Sequence, residues 1–169
     1  MIKDVTVNNN EDDGIYLTGT GITVENANIK NNELGFNIGG VAENNEITLA
    51  GDITVTNNKR GFDTTARAQG TVYVTGDFNL NRNEEVGLEA SSPDLTIAVG
   101  GSYSGKSGKS GSGSLTACDN GQYDIFNAGG STFEGSDYTC VTTKGPNVPV
   151  CKPCHPGCPS PESNESSQD

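Results

Sequence analysis

Apolar residues recur along this chain at a fixed interval of 25 residues. The two columns, two positions apart, are Ile22, Ile47, Val72 and Ile97, and Val24, Leu49, Val74 and Val99. Equal spacing indicates one structural unit that is repeated, with each copy burying the same positions against its neighbours. The chain is therefore predicted to be a stack of coils with two ends, rather than a domain around one central core.

Further columns show what one coil contains. Two apolar columns alternate as in a strand with one buried face: Val5, Ala27, Ile53 and Phe78, and Val7, Ile29, Val55 and Leu80. An asparagine column follows at Asn10, Asn32, Asn58 and Asn83. A glycine column comes next at Gly14, Gly35, Gly61 and Gly87, each followed by Ile15, Phe36, Phe62 or Leu88. Each coil is predicted to be a strand, a second strand, an Asn-rich bend and a short strand.

The bend residues have a physical reason for their positions. Asparagine tolerates the left-handed backbone of a sharp bend, and its amide group can both donate and accept hydrogen bonds. Stacked asparagines can therefore bond along the stack as an Asn ladder. The glycines are expected to supply backbone angles that other residues avoid.

The segments IKNNELGF, VTNNKRGF and LNRNEEVGL resemble the Asn-ladder bend of the pectin-lyase-like superfamily. This resemblance covers residues 2–140 and implies an all-β fold, a right-handed parallel β-helix of five to six coils. Stacked strands lie ~4.8 Å apart. An ordinary β-sandwich is the alternative, but it does not explain three equal steps of 25 residues.

Composition limits the partners of such a rod. The net charge of −12 should repel nucleic acid and anionic membrane surfaces. The sequence has no run of 18 apolar residues, so no membrane-spanning segment is expected. The chain begins inside a coil with no signal peptide, which favours an excised domain or a fragment of a longer secreted protein. What caps that end, and the oligomeric state, are left open.

The segment LTIAVGGSYSGKS contains the G-x-x-x-x-G-K-S order of a phosphate-binding loop. Such a loop must open a helix, and the following Gly- and Ser-rich sequence favours none. Excising residues 105–114 restores the period and places Leu115 in the column of Leu80. We therefore interpret residues 105–114 as a flexible loop inserted into the fifth coil.

The family resemblance implies a carbohydrate cleft along the first strand of each coil and the loop that enters it. The outward positions there are Thr23, Thr48 and Tyr73, and the nearby charged loop residues are Asp63, Arg67 and Asp94. The strand row holds no acid or base of the kind that glycoside hydrolysis needs. The only nearby candidates are Asp63, Arg67, Glu89 and Asp94, and their order matches no hydrolase or lyase signature of the superfamily. The strand row suits contact with a sugar better than cleavage.

Acidic residues cluster at the bends. Asp12 and Asp13 lie side by side, and hard cations such as calcium prefer clustered carboxylates, so a calcium site there is one hypothesis. Elsewhere Lys59 and Arg60 fall between acidic bends of neighbouring coils. Ion pairs between coils are the simpler interpretation of these charges. No other cofactor is expected.

Residues 141–169 are rich in Pro, Ser and Cys and are interpreted as a disordered tail or linker. Cys118 and Cys140 are candidates for a disulfide that pins the last coils, although sequence cannot assign pairings. The pattern C-x-x-C-H at Cys151 also permits haem attachment or, with Cys158, zinc, but a Pro-rich tail offers no haem pocket and the spacing strains a tetrahedron. Disulfides and the Asn164 glycosylation pattern favour an extracellular or cell-surface location.

These observations favour a non-catalytic secreted or surface-displayed β-helix that contacts polysaccharide or cell-wall material, or serves as a structural element. The alternative is a fragment of a polysaccharide lyase or glycoside hydrolase whose catalytic residues lie partly outside this segment. The sequence does not name the ligand, and it leaves enzymatic activity of a longer chain open.

Overall fold

The computed structural model describes residues 1–39, 45–102 and 110–154. Within these ranges the protein is all-β, a parallel β-solenoid of about five turns. The first sheet contains β1 (Ile2–Asn8), β3 (Thr20–Lys30), β5 (Asn45–Thr56), β7 (Gly70–Val74), β8 (Asp77–Asn79), β10 (Leu95–Val99), β13 (Ser114–Thr116), β15 (Thr132–Gly135) and β16 (Tyr138–Thr139). The second sheet contains β2 (Asp13–Leu17), β4 (Leu34–Ile38), β6 (Arg60–Thr64), β9 (Val86–Ala90), β14 (Tyr123–Asn127) and β17 (Thr143–Lys144). None of the described residues forms a helix that could cross a membrane.

The predicted columns are confirmed as vertical files of side chains. Ile22 pairs with Ile47, Ile47 with Val72, and Val72 with Ile97, in parallel register. The phenylalanines of the second sheet, Phe36 and Phe62, pair in the same way and are fully buried. The core is thus a narrow interior between the two sheets, and each coil is covered by the next.

The Asn ladder is also confirmed, and it is one rung longer than predicted. In each rung an asparagine donates from its backbone N–H and its Nδ2 to the Oδ1 of the next asparagine. The Nδ2 to Oδ1 distances are 2.9 Å from Asn10 to Asn32, 3.0 Å from Asn32 to Asn58, 3.2 Å from Asn58 to Asn83 and 3.1 Å from Asn83 to Asn120. Asn120 in turn donates to Asp124 Oδ1 at 3.0 Å, and the other oxygen of Asp124 accepts from two backbone N–H groups beyond the last full coil. The ladder therefore has a direction and ends on a buried carboxylate.

The conformational roles at the bend differ from those expected. The left-handed residue is the one before each ladder asparagine: Asn9, Asn31, Asn57, Arg82 and Asp119. The glycines after the bend do not have positive φ, so the expected dihedral reason is wrong for them. They are required by space instead, because a Cβ on Gly61 would lie 2.5 Å from Gly87 O and 2.7 Å from Asn83 Nδ2.

The insertion in the fifth coil has different bounds from the predicted 105–114. Leu115 pairs with Phe78, not with Leu80 as predicted, and Asn83 bonds to Asn120 across 37 residues instead of 25. The twelve additional residues are 101–112, because Gly100 and Gly113 are in direct contact. The antiparallel strands β11 (Gly101–Ser102) and β12 (Ser110–Gly111) form the base of this hairpin. Residues 103–109, which include most of the phosphate-loop-like sequence, lie outside the described residues.

The C-terminal cysteines correct the sequence interpretation. Cys118 bonds to Cys154 and Cys140 bonds to Cys151, so the expected pairing of Cys118 with Cys140 is wrong. These bonds also occupy the sulfur atoms of Cys151 and Cys154, which the haem and zinc hypotheses required as free thiols. Residues 141–154 lie against the last coil, since β17 pairs with β14, whereas a linker was expected from residue 141. Residues 155–169, with Cys158 and Asn164, lie outside the described residues.

Candidate functional site

The outward row predicted on the first sheet is in register but offers little surface. Thr23 pairs with Thr48, and Thr48 pairs with Tyr73. Thr48 is 8% exposed and Tyr73 is 7% exposed, so neither presents an open face to a ligand. Arg67 and Asp94 are exposed in the loops before β7 and β10. Of the six residues predicted to contact carbohydrate, Asp63 lies on the other sheet, where it accepts a hydrogen bond from Arg60 Nη1 at 2.8 Å.

The outer face of the second sheet presents one continuous row of polar and aromatic side chains. We call this the second-sheet row: Tyr16, Asn37, Asp63, Glu89, Phe126 and Lys144, joined in parallel register. Neighbouring members are separated by the strand spacing of ~4.8 Å. Tyr16 is 51% exposed at one end and Lys144 is exposed at the other. The row is straight because each member occupies the same position of its coil.

The centre of the row is organised by Arg60. Its Nη1 lies 2.8 Å from Asp63 Oδ2 and 3.5 Å from Glu89 Oε2, while its Nε lies 3.2 Å from Glu85 Oε2. One guanidinium therefore serves three carboxylates, two of them in the next coil. The expectation of ion pairs between coils is confirmed here, and Lys59 also pairs with Glu33 of the preceding coil.

Burial raises the pKa of two carboxyl groups in this cluster. Desolvation raises the pKa of Asp63 above its ordinary value, and this outweighs the lowering by the hydrogen bond and charge of Arg60. Glu89 also has a raised pKa, because of desolvation first and the neighbouring charge of Asp63 second. Both side chains remain partly open, with 14% and 18% of their surface exposed. Both carboxyl groups are therefore accessible to solvent, and both are protonated more easily than an ordinary carboxyl group.

Aromatic rings and a cation occupy the C-terminal end of the row. The rings of Tyr123 and Phe126 are 5.6 Å apart between centroids. Lys144 Nζ lies 5.0 Å from the centroid of Tyr123 and 5.6 Å from that of Phe126. This geometry fits a cation–π contact at a partly exposed site.

One of the proposed calcium ligands, Asp13, lies beside the N-terminal end of the row. Asn37 Nδ2 lies 3.2 and 3.1 Å from the two carboxylate oxygens of Asp13, and Asp12 is exposed beside it. Desolvation raises the pKa of Asp13. Across the described ranges, no three His, Cys, Asp or Glu side chains are grouped so that they could hold a metal ion. The calcium hypothesis therefore stays a prediction without added support.

Sequence reasoning named Asp63 and Glu89 as charged candidates and missed the other four members of the row. A pattern was present for the five members from Tyr16 to Phe126, because each directly follows the buried column of Ile15, Phe36, Phe62, Leu88 and Ile125. Lys144 follows Thr143, which is exposed. The row was missed because the family resemblance directed attention to the first strand of each coil.

Comparisons with known proteins give no relative from which a function could be transferred. No protein-family model, no curated protein and no solved structure matches this chain. The structure therefore shows a parallel β-solenoid of about five turns, and no family is assigned to it.

Proposed function

We propose that this chain is a non-catalytic, extracellular or cell-surface β-solenoid module that contacts polysaccharide through the second-sheet row. The observation that carries the proposal is the row itself, a partly exposed series of amide, carboxylate, ammonium and aromatic groups on one face of the second sheet. Aromatic side chains offer an apolar face together with a polar edge, and the charged groups offer strong hydrogen bonds. A polysaccharide repeats its sugar units, and the row repeats its side chains at the spacing of the strands.

Two further features support the proposed setting. Disulfides persist in oxidising compartments, and the described chain contains two. The net charge of −12 disfavours nucleic acid as the ligand.

The binding proposal is tested on a panel of immobilised polysaccharides, with and without calcium. We expect Tyr16→Ala and Phe126→Ala each to weaken binding by up to about tenfold, the free energy of one lost aromatic contact. Arg67→Ala removes an exposed side chain outside the row and should leave binding within about twofold. Absence of binding to every polysaccharide, or equal losses in all three variants, contradicts the proposal.

A second candidate is a polysaccharide-cleaving enzyme, and one observation favours it. Asp63 and Glu89 approach the same Arg60 nitrogen, and both have raised pKa values, as expected for a carboxyl group that must donate a proton. This candidate predicts release of new reducing ends or unsaturated products from a polysaccharide. Asp63→Asn and Glu89→Gln should each abolish that release, and an unchanged rate in both variants removes the candidate.

A further inference from the structure

The last asparagine of the ladder differs from the others in the residue that follows it. The earlier members are followed by Glu or Lys: Asn10, Asn32, Asn58 and Asn83 precede Glu11, Glu33, Lys59 and Glu84. Asn120 is followed by Gly121, and this is the only Asn-Gly pair in the sequence. Glycine has no side chain to hinder its backbone nitrogen, and it reaches conformations that other residues avoid. The amide carbon of Asn120 is therefore the one that the next backbone nitrogen can attack most easily in an open chain.

The fold requires both members of this pair. Asn120 Oδ1 accepts from the backbone N–H of Asn83 at 3.0 Å and from Asn83 Nδ2 at 3.1 Å, so its side chain extends the ladder by one coil. Gly121 lies against the preceding coil, where a Cβ would overlap the carbonyl oxygen of Glu84. The reactive pair thus belongs to the architecture of the last full coil.

Hydrogen bonds restrain the reacting groups in the folded chain. The nitrogen of Gly121 would be the nucleophile, and its N–H donates to Asn83 O at 3.0 Å. Asn120 Nδ2 would be the leaving group, and it donates to Asp124 Oδ1 at 3.0 Å. These bonds fix both the peptide plane and the side chain. Attack on Cγ of Asn120 therefore requires local opening of this coil.

The last rung is less covered than the rungs in the interior of the stack. Asn58 and Asn83 are 0% and 2% exposed, whereas Asn120 is half-buried. Beyond Asn120 the ladder passes to Asp124, whose Oδ2 accepts from the two backbone N–H groups of residues 141–142. Segments with less cover open at a lower free energy than the whole structure. We expect the last rung to open more often than an interior rung.

Other contacts limit this opening. The disulfide of Cys118 to Cys154 begins two residues before Asn120, and β17 pairs in parallel with β14. Lys144 Nζ also lies 5.0 Å from the centroid of the Tyr123 ring. The rung is therefore expected to open rarely, so any reaction that depends on opening should be slow in the folded chain.

We propose that Asn120 is a site of self-modification, which converts to aspartate or isoaspartate when the last full coil opens and then cannot re-form its rung. The nitrogen of Gly121 bonds to Cγ of Asn120, the Cγ–Nδ2 bond breaks, and ammonia leaves with the proton of the Gly121 N–H. Water then adds to one of the two carbonyl carbons of the resulting succinimide and opens the ring. The net reaction consumes one water and releases one ammonia, and no electrons are transferred.

The product differs from asparagine at the atom that continues the ladder. Nδ2 of Asn120 lies 3.0 Å from Asp124 Oδ1, and the product has an oxygen in its place. Two carboxylates at this distance repel each other, and the donor to Asp124 is lost. Isoaspartate also adds one carbon to the main chain. The modification is therefore one-way and breaks the ladder at its last member.

The test incubates the full chain at mildly alkaline pH, because the attack requires removal of the N–H proton. Tandem mass spectrometry follows the peptide that contains Asn120, in buffer and in guanidinium chloride. We expect conversion in both conditions, at least about tenfold slower in buffer, because only the open fraction reacts there. Equal rates in the two conditions, or no conversion in either one of them, would overturn the proposal.

Lys59→Gly supplies an interior comparison within the same molecule, because it places a glycine after Asn58. The two positions are matched, since the N–H of Lys59 and the N–H of Gly121 each donate to the carbonyl of the preceding ladder asparagine. In denaturant, Asn58 and Asn120 of this variant should convert at similar rates. In buffer Asn58 should convert more slowly. Equal rates in buffer would show that opening of the last rung does not control the reaction.

Asn120→Asp reproduces one product and tests the loss of the rung. This variant should unfold at a lower guanidinium chloride concentration than the parent, and failure to fold would be the extreme form of the same result. Gln122→Glu adds the same charge at a neighbouring exposed position and should unfold close to the parent. Equal unfolding midpoints for Asn120→Asp and Gln122→Glu would contradict a broken rung.

Discussion

At the scale of single residues, the ladder asparagines connect otherwise separate coils. Asn58 is fully buried, and its Oδ1 accepts from the backbone N–H and Nδ2 of Asn32, both at 3.0 Å. Its Nδ2 donates to Asn83 Oδ1 and to the carbonyl of Thr56. Each buried donor is satisfied by a neighbouring coil, so one side chain stabilises contacts on both of its sides.

Asn58→Ala should therefore be strongly destabilising. The substitution leaves the buried N–H of Asn32 without its acceptor, and unsatisfied buried polar groups cost about 1–3 kcal/mol each. We expect a loss of about 3 kcal/mol in the free energy of unfolding, measured with urea. Asn10→Ala at the exposed end of the ladder should lose less than half as much. Equal losses in the two variants would show that burial of the asparagine does not determine the cost of removing it.

Glu89 should make stability depend on pH. Its pKa is raised above the ordinary 4.5, so the folded chain binds this proton more tightly than the unfolded chain does. The free energy of unfolding therefore falls as pH rises through the interval between the ordinary and the raised value. Relative to Glu89→Gln, the parent should lose stability as pH rises from about 4.

Urea unfolding at intervals across that range measures this difference. Glu11→Gln, an exposed acidic position outside the second-sheet row, is the matched control for a change of one charge. Parallel curves of unfolding free energy against pH for the parent and Glu89→Gln would contradict the prediction. They would show that the carboxyl group of Glu89 titrates alike in the folded and the unfolded chain.

At the scale of elements, the fifth coil shows that the solenoid tolerates an inserted hairpin. The chain leaves the first sheet at Gly100 and returns at Gly113, and these residues are in contact. Gly113 is confined by the backbone at Val74, where a Cβ would lie 2.3 Å from the carbonyl oxygen. Residues on either side of the hairpin thus belong to the regular coil, and residues 101–112 do not.

Two deletions distinguish the bounds of the insertion. Removal of residues 101–112 joins two positions that are already in contact, so the melting temperature should stay within about 5 °C of the parent, equivalent to roughly 1 kcal/mol. Removal of residues 105–114 instead deletes Gly113 and Ser114, and Ser114 pairs with Asp77. That variant should melt at least about 10 °C lower. Similar melting of both deletions would mean that the register of the fifth coil is not fixed by Ser114.

At the scale of the whole molecule, stability must be supplied separately at each end of the stack. Interior coils are covered by neighbours on both sides, but the last coil is covered in part by residues 141–154, which we call the strap. The disulfides close loops with sequence separations of 36 residues for Cys118–Cys154 and 11 residues for Cys140–Cys151. Longer closed loops restrict the unfolded chain more.

Removing the longer disulfide should therefore be more destabilising than removing the shorter one. Chain-entropy scaling gives a difference of about 1 kcal/mol between loops of these lengths. The comparison is Cys118→Ser/Cys154→Ser against Cys140→Ser/Cys151→Ser, measured by urea unfolding at low protein concentration. A larger loss in the second variant would indicate that contacts of the strap, rather than chain entropy, determine the ranking.

The coil architecture could be predicted from sequence because like residues repeat at like positions. The columns from Ile22 to Ile97 and the ladder from Asn10 to Asn83 are local patterns that need no knowledge of distant contacts. The rung at Asn120 was hidden because the hairpin changes the spacing from 25 to 37 residues. Its acceptor Asp124 has no repeat that could have revealed it.

The rest of the candidate site depended on information that a single sequence does not contain. Whether Tyr73 is buried depends on neighbours outside its own column, and alternation alone places it on the outside. Cysteine pairing depends on where the chain returns after the last coil, so Cys118 and Cys140 gave no unique partner. The second-sheet row was readable in principle from Tyr16 to Phe126, since each of these members directly follows a residue of a buried column.

The one-way order of donors and acceptors in the ladder makes the number of turns adjustable. Asn58 presents the same acceptor to the turn before it that Asn83 presents to Asn58, at a separation of 25 residues. A duplicated 25-residue unit placed between them would find matching groups above and below, and neither terminus of the rod would change. Gene segments of this size can therefore lengthen or shorten the molecule, while the coils at both ends of the described solenoid keep their sequences.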